Sequence, residues 1–176
     1  MITEEWSALK GQRRQQEWLA GRLMLQELAE KGKVPFTGVE KNGLNKPFLA
    51  ERKANISLSH TKSTAAACLH TSRRVGVDIE YASPRVARIA HKFLNEEERK
   101  ATSEDWERML MYWCAKEALY KLQDHSGIIF KEELLIEPAN QEGLLRGMVR
   151  SKDESIDATL WVEKEAGRTI VCALEQ

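Results

Sequence analysis

Apolar and polar residues recur along the first part of the chain with two different periods. From Lys10 to Lys31 apolar residues return at helical spacing among Arg and Glu, which predicts an amphipathic helix of several turns. The stretch from Pro35 to Ala50 is rich in Gly, Asn and Pro and predicts a loop. Two extended stretches follow, at 55–61 and 64–71, and the short polar connection at 62–63 predicts a tight turn between them.

The second part of the chain opens on the two-residue period of a strand. Between residues 73 and 80, Val75, Val77 and Ile79 alternate with small or acidic residues, so we expect a half-buried strand with the apolar side chains facing the core.

Helix and strand signals divide the rest of the chain. Pro84 opens a short helix, and Asn95 before a run of glutamates is typical of a helix N-cap. Ser103 is expected to cap a longer helix that runs to about Gln123. From Leu134 onward the pattern predicts several short strands separated by turns.

A weak internal similarity relates the two parts. Residues 17–24 align with residues 112–119, and residues 64–69 align with residues 169–174. Each part therefore reads as a helix that accompanies a strand hairpin.

These patterns predict an α+β fold. We expect two similar halves, residues 1–74 and 75–176, each with a helix and antiparallel strands, packed about a pseudo-twofold axis as one structural unit. A chain of 176 residues is long enough for such a unit. The crevice between two such halves is a usual place for a ligand.

Composition argues against several classes of function. The 27 basic and 27 acidic residues cancel, so no global field attracts nucleic acid or an anionic membrane. Met1–Trp6 contains two glutamates and no apolar run, so we expect neither a signal peptide nor an anchor there. Cys68, Cys114 and Cys172 lie far apart without zinc-binding spacing, which favours reduced, buried thiols in a cytoplasmic protein.

Two carboxylates on the predicted strand are candidates for metal binding. Asp78 and Glu80 are two residues apart, so both project to one face, about 7 Å apart at the backbone. Neighbouring carboxylates repel each other unless a cation joins them, and Mg²⁺ prefers such oxygen ligands. The alternative is an exposed strand face with two solvated acids.

The long helix carries a second set of charged residues. Trp113, Glu117 and Lys121 are spaced by four and share one stripe, while Lys116 lies on the neighbouring one. A carboxylate with two lysines suits a metal–diphosphate site. The alternative is a surface salt bridge between Glu117 and Lys121. Near the end of the 55–61 strand, Ser59 and His60 offer donors to a phosphate, although a lone histidine is more often structural.

Four stretches taken together resemble one enzyme family. They are 55–61 (NISLSHT), 73–80 (RRVGVDIE), 92–98 (KFLNEEE) and 113–122 (WCAKEALYKL). In this order they resemble the surfactin-type 4'-phosphopantetheinyl transferases, the larger pseudo-dimeric class, and the resemblance covers residues 13–174. It implies transfer of phosphopantetheine from coenzyme A to a carrier-protein serine, with release of 3',5'-ADP.

The resemblance also implies roles for individual residues. Asp78, Glu80 and Glu117 are expected to ligate Mg²⁺, and Glu117 and Lys121 are expected to act in catalysis, Glu117 as the base. Coenzyme A is expected to contact residues from both halves. They are Lys46 and Pro47 beside the adenine, Lys10, Arg13 and Arg14 at the 3'-phosphate, and Ser59, His60, Lys116 and Lys121 at the other phosphates.

Two features depart from the family pattern. The Gly-Lys-Pro loop of the family reads Asn45-Lys46-Pro47 here. Members usually carry one or more strands before the first helix, so we expect the first half to lack its first strand.

The expected partner is an acidic acyl or peptidyl carrier protein, bound by a monomeric enzyme with no nucleic-acid or membrane partner. Arg85, Arg88 and Lys92 fall on one face of the short helix after Pro84 and form a basic stripe, while Val86, Ile89 and Phe93 anchor its other face. An ordinary solvated helix face is the alternative for the stripe. For the activity, the alternatives are another Mg²⁺-dependent phosphohydrolase and a non-catalytic coenzyme A-binding relic.

Overall fold

The structure is a computed structural model that describes residues 6–176. The expectation that residues 1–6 form neither a signal peptide nor an anchor therefore lies outside the described residues, apart from Trp6. Helix α1 spans Gln12–Lys31. It begins two residues later than predicted, because Gly11 has a φ of 93° that a helix does not accommodate. Its buried Gly21, Leu25 and Ala29 recur every fourth residue and form the face that packs on the strands of the first half.

Two hairpins complete the first half. The stretch predicted as a loop contains strands β1 (Val39–Lys41) and β2 (Pro47–Leu49), which pair antiparallel. Strands of three residues are too short to show a period, which is why the pattern did not predict them. β3 (Asn55–Thr61) and β4 (Thr64–His70) form the predicted hairpin, which α1 covers.

The second half is a five-stranded antiparallel sheet. Its strands lie in the order β5-β9-β8-β7-β6. The bounds are Val75–Tyr81 for β5, Leu134–Pro138 for β6, Leu144–Arg150 for β7, Ser155–Glu165 for β8 and Arg168–Glu175 for β9. The strands after residue 134 are as predicted. A strand also forms at β5, but the residues from Val75 to Ile79 are buried on both faces and not half-buried as predicted, because α4 covers the second face.

The helical segments between β5 and β6 differ in part from the prediction. They are a 3-10 helix (Pro84–Ile89), α2 (Ala90–Phe93), α3 (Glu96–Thr102), α4 (Trp106–Tyr120) and α5 (Phe130–Glu133). Asn95 caps α3 as predicted. Ser103 does not cap α4 but ends α3 in a left-handed conformation. Asp105 is the N-cap of α4, because its carboxylate accepts from the N–H groups of Glu107 and Arg108.

The mixed α+β architecture with antiparallel sheets agrees with the prediction. Each half contains one long helix on antiparallel strands, α1 on β4 and α4 on β5 and β9. The first half contains two two-stranded sheets and the second half contains one five-stranded sheet. The pseudo-twofold relation between the halves stays a prediction. No helix in 6–176 has the length and apolar character needed to cross a membrane.

The halves meet where β3 lies beside β5. The Val77 N–H donates to the Ser57 Oγ at 3.0 Å, and both groups are buried. Ala66 of β4 packs with Val77 and Ile79, the apolar face of β5. That contact leaves the opposite face of β5, with Asp78 and Glu80, turned toward α4.

Candidate active site

Asp78 lies at the centre of the junction between the halves. Its side chain is only 7% exposed. Oδ1 accepts from the Ser59 hydroxyl at 2.8 Å and from the Lys121 ammonium at 2.9 Å. Oδ2 is buried and has no nitrogen or hydroxyl donor among residues 6–176, while the Cys114 thiol, a weak donor, lies against the same carboxylate. A buried carboxylate oxygen without a partner is costly, so this atom is open to a further donor or a cation.

Gly76 explains how α4 comes close enough to reach Asp78. A methyl group at position 76 would lie 1.9 Å from the Ala118 carbonyl oxygen of α4. Only glycine permits that approach, which brings Glu117 and Lys121 against β5. The Lys121 ammonium then also donates to the Val77 carbonyl at 2.7 Å.

The three carboxyl groups influence one another's protonation. Burial, followed by repulsion from Asp78, raises the pKa of Glu117 to about 7, although Lys121 opposes this rise. The same two causes raise the pKa of Glu80, against hydrogen bonds from Thr61 and Trp113. The three carboxyl groups at this face of β5 therefore hold more negative charge than the single positive charge of Lys121 neutralises.

The acids fit a divalent cation that completes its shell with other ligands. No group of three or more His, Cys, Asp and Glu residues within the described range forms a ready-made metal cage. Mg²⁺ does not require one, since it keeps several waters and binds through one or two carboxylates. The free Oδ2 of Asp78, with mutually repelling Glu80 and Glu117 nearby, is the donor set such an ion needs.

A cavity of about 270 Å³ opens next to this centre. Its wall combines the loop that holds Lys46 and Pro47, the middle of β3 and the C-terminal end of α4 with Lys121. A ligand in this space therefore touches both halves and reaches Lys121.

A family model described as the 4'-phosphopantetheinyl transferase superfamily matches residues 74–174, which include Asp78, Glu80, Glu117 and Lys121. The chain belongs to the 4'-phosphopantetheinyl transferase superfamily. Membership supports phosphopantetheine transfer as the general activity. A comparison with curated proteins gave no match.

Lys46 and Pro47 line this cavity, and the Lys46 ammonium already has partners within the protein. This ammonium donates to the carbonyls of Leu122 and Gln123 at 3.1 and 3.2 Å and pairs with Asp124 at 2.8 Å. These carbonyls lie two and three residues past the end of α4. Lys46 therefore ties the first half to the helix that carries Glu117.

Ser59 and His60 point to opposite faces of β3, because successive side chains on a strand alternate. Ser59 bonds Asp78, whereas the His60 ring lies 3.5 Å from Glu17 on α1. Arg13 pairs with the same Glu17 at 2.8 Å.

Lys10 and Arg14 are exposed. Arg13 lines a separate cavity of about 280 Å³ beside Lys62. Of the residues expected at the 3'-phosphate, Arg13 therefore shares Glu17 with His60.

Lys116 departs from the expected phosphate contact. Its side chain is 0% exposed and pairs with Glu98 at 2.6 Å. It also donates to the Phe130 carbonyl at 3.0 Å. An ammonium enclosed in this way is not available to a phosphate, so the structure corrects the role predicted for Lys116.

Two further residues differ from the prediction: Glu98, the partner of Lys116, was not predicted, and Ile89 was wrongly predicted to anchor its helix. Glu98 stood out only as part of the acidic run after Asn95, and its place three residues after the cap was the available signal. In the basic-stripe segment, Val86 and Phe93 are buried as expected, but Ile89 is 37% exposed. The 3-10 turn replaces an α-turn there and buries Ala90 instead.

The three cysteines are free thiols. Cys114 is buried as expected, while Cys68 and Cys172 are only half-buried. Burial and the nearby Asp78 and Glu80 raise the pKa of the Cys114 thiol, so this group stays protonated.

Proposed function

We propose that the protein transfers the 4'-phosphopantetheine group of coenzyme A to a serine of an apo acyl or peptidyl carrier protein, with Mg²⁺ required and 3',5'-ADP released. It would then act as a cytoplasmic monomer of the larger, pseudo-dimeric class. The superfamily match and the cavity between the halves support this proposal.

The buried, unpartnered Oδ2 of Asp78 is the observation that carries it. Asp78, Glu80 and Glu117 are the residues that would hold Mg²⁺, which when bound supplies positive charge to the diphosphate of coenzyme A. A phosphohydrolase would use the same acids, but the superfamily favours transfer.

Glu117 is suited to take the proton of the attacking serine. A base works best when its pKa lies near the working pH, and burial raises the pKa of Glu117 to about 7. In the metal-free protein its ionised form increases as the pH rises through that value, so Mg²⁺, which binds the ionised carboxylate, should bind more tightly as the pH rises in the same range.

Lys121 is suited to neutralise charge on the phosphates. Its ammonium sits between Asp78 and the cavity, with the side chain 25% exposed. A cation fixed by Asp78 and the Val77 carbonyl requires little rearrangement during the reaction. Ser59 supports it by holding the same Asp78 oxygen.

The basic stripe is the proposed docking surface for the carrier. Arg85, Arg88 and Lys92 are all exposed and follow β5 by a few residues. Because the chain has no net charge, attraction of an acidic partner must come from a local patch such as this one.

Replacement of Asp78 tests the proposal. Asp78→Ala should abolish transfer, because it removes the central carboxylate. It should also remove the Mg²⁺-dependent part of the rise in melting temperature produced by coenzyme A, since a ligand stabilises by mass action. The control is Asp157→Ala, an exposed acid on β8 paired with Arg150. Full transfer by Asp78→Ala would rule out the proposed centre.

A further inference from the structure

The buried pair of Lys116 and Glu98 joins four segments of the second half. Lys116 lies on α4 and Glu98 on α3, and both are almost wholly enclosed, at 0% and 3% exposure. Lys116 also holds the Phe130 carbonyl at the start of α5. Glu98 accepts the Ile136 N–H of β6 at 3.0 Å through Oε1 and the Asn95 N–H at 3.0 Å through Oε2.

Stability alone does not account for such a pair. Taking two charges out of water costs several kcal/mol each, and apolar residues of similar volume are often at least as stabilising. Burial lowers the pKa of Lys116 against the opposing effect of Glu98. What a buried, multiply bonded ion pair offers instead is one defined arrangement of the elements that it joins.

The ion pair fixes α4, the helix that carries Glu117. Glu117 directly follows Lys116, about 100° further around α4, and Lys121 lies just past the end of that helix. No residue in 6–176 donates a hydrogen bond to the Glu117 carboxylate. Its position is therefore set by the rotation of α4 about its own axis.

We propose that Lys116 and Glu98 form a positioning pair that fixes the rotation of α4 and thereby sets Glu117 and Lys121 against Asp78. This inference rests on the proposed function for its consequence in catalysis. It gives Lys116 a role behind the site and not at a coenzyme A phosphate.

The test removes both charges at once. Lys116→Met combined with Glu98→Gln leaves an amide oxygen able to accept from the Ile136 N–H, so folding should be retained, as thermal unfolding would show. Mg²⁺ affinity by calorimetry and kcat should each fall at least tenfold, while coenzyme A affinity without Mg²⁺ stays within about twofold. The control is Lys131→Met, an exposed lysine next to Phe130, which should change none of these values.

Two results would overturn the positioning role. One is a folded double variant with Mg²⁺ affinity and kcat within about twofold of wild type, which would make the pair purely structural. The other is a tenfold loss of coenzyme A affinity with kcat retained, which would indicate that Lys116 contacts a coenzyme A phosphate directly. If the double variant does not fold, Glu98→Asp, which keeps the charge and shortens the side chain, is judged by the same criteria.

The same experiment separates this inference from the proposed function. Wild-type protein that does not modify a carrier ends the transferase proposal by itself. The ratio of Mg²⁺ affinities between variant and wild type still decides the positioning role, because it does not depend on transfer.

Discussion

At the scale of single residues, Glu117 links the chemistry of the site to the stability of the fold. Its pKa is about 7 in the folded protein against an ordinary value of 4.5, because burial and Asp78 disfavour the ionised form. The folded state therefore binds this proton more tightly than the unfolded chain. Glu117 consequently costs stability above pH 4.5, and the cost grows until the pH passes about 7.

We expect Glu117→Gln to stabilise the metal-free protein in that window and to abolish transfer. The gain should be on the order of 1–3 kcal/mol at about pH 8 and clearly smaller at about pH 5. Urea unfolding at both pH values measures it, with the exposed Glu107→Gln on the same helix as control. An equal gain at both pH values would mean that Glu117 ionises as an ordinary surface acid.

Lys121 does not form the surface salt bridge with Glu117 that was the alternative to a phosphate contact. Its ammonium contacts Asp78 and the Val77 carbonyl, and no salt bridge to Glu117 forms within the described chain. Lys121→Ala should lower turnover at least tenfold, about 1.4 kcal/mol of transition-state stabilisation. Stability should fall by roughly 1–2 kcal/mol, since Asp78 loses its ion pair. Steady-state kinetics decide the matter, because unchanged turnover would leave Lys121 with a structural role alone.

At the scale of elements, the segment from Pro84 to Phe93 presents its cations to solvent while Val86, Ala90 and Phe93 hold it to the body. Arg85→Glu with Arg88→Glu should raise the KM for carrier protein and weaken its dependence on salt. Coenzyme A affinity should not change, because neither residue lines the cavity. A carrier KM that stays the same, or a parallel loss of coenzyme A binding, would make the stripe an ordinary solvated face.

The elements also show what sequence patterns can and cannot predict. Regular stretches of apolar and polar residues predicted β3, β4, β5, the later strands and the long helices, although β5 is buried on both faces and not on one. The β1–β2 hairpin was missed because three-residue strands carry no period. The enclosure of Lys116 was missed because its partner Glu98 lies 18 residues away on another helix, a contact set by tertiary packing.

At the scale of the whole molecule, the site exists only where the halves meet. Lys46 of the first half bonds the Leu122 carbonyl just after α4, Ser59 bonds Asp78, and Thr61 bonds Glu80 at 3.3 Å. Of the acids and lysines that the sequence singled out, Asp78, Glu80, Glu117 and Lys121 therefore lie together at one face of β5. Arg13 and His60 lie together at another place.

The most direct test of the central claim is the mass of a carrier protein after incubation with this protein, coenzyme A and Mg²⁺. The account predicts an increment equal to one phosphopantetheine group on the apo carrier, and none when its serine is replaced or Mg²⁺ is chelated. Breakdown of coenzyme A with an unmodified carrier would indicate a phosphohydrolase. Binding of coenzyme A with neither change would indicate a non-catalytic relic, and either result would contradict the account.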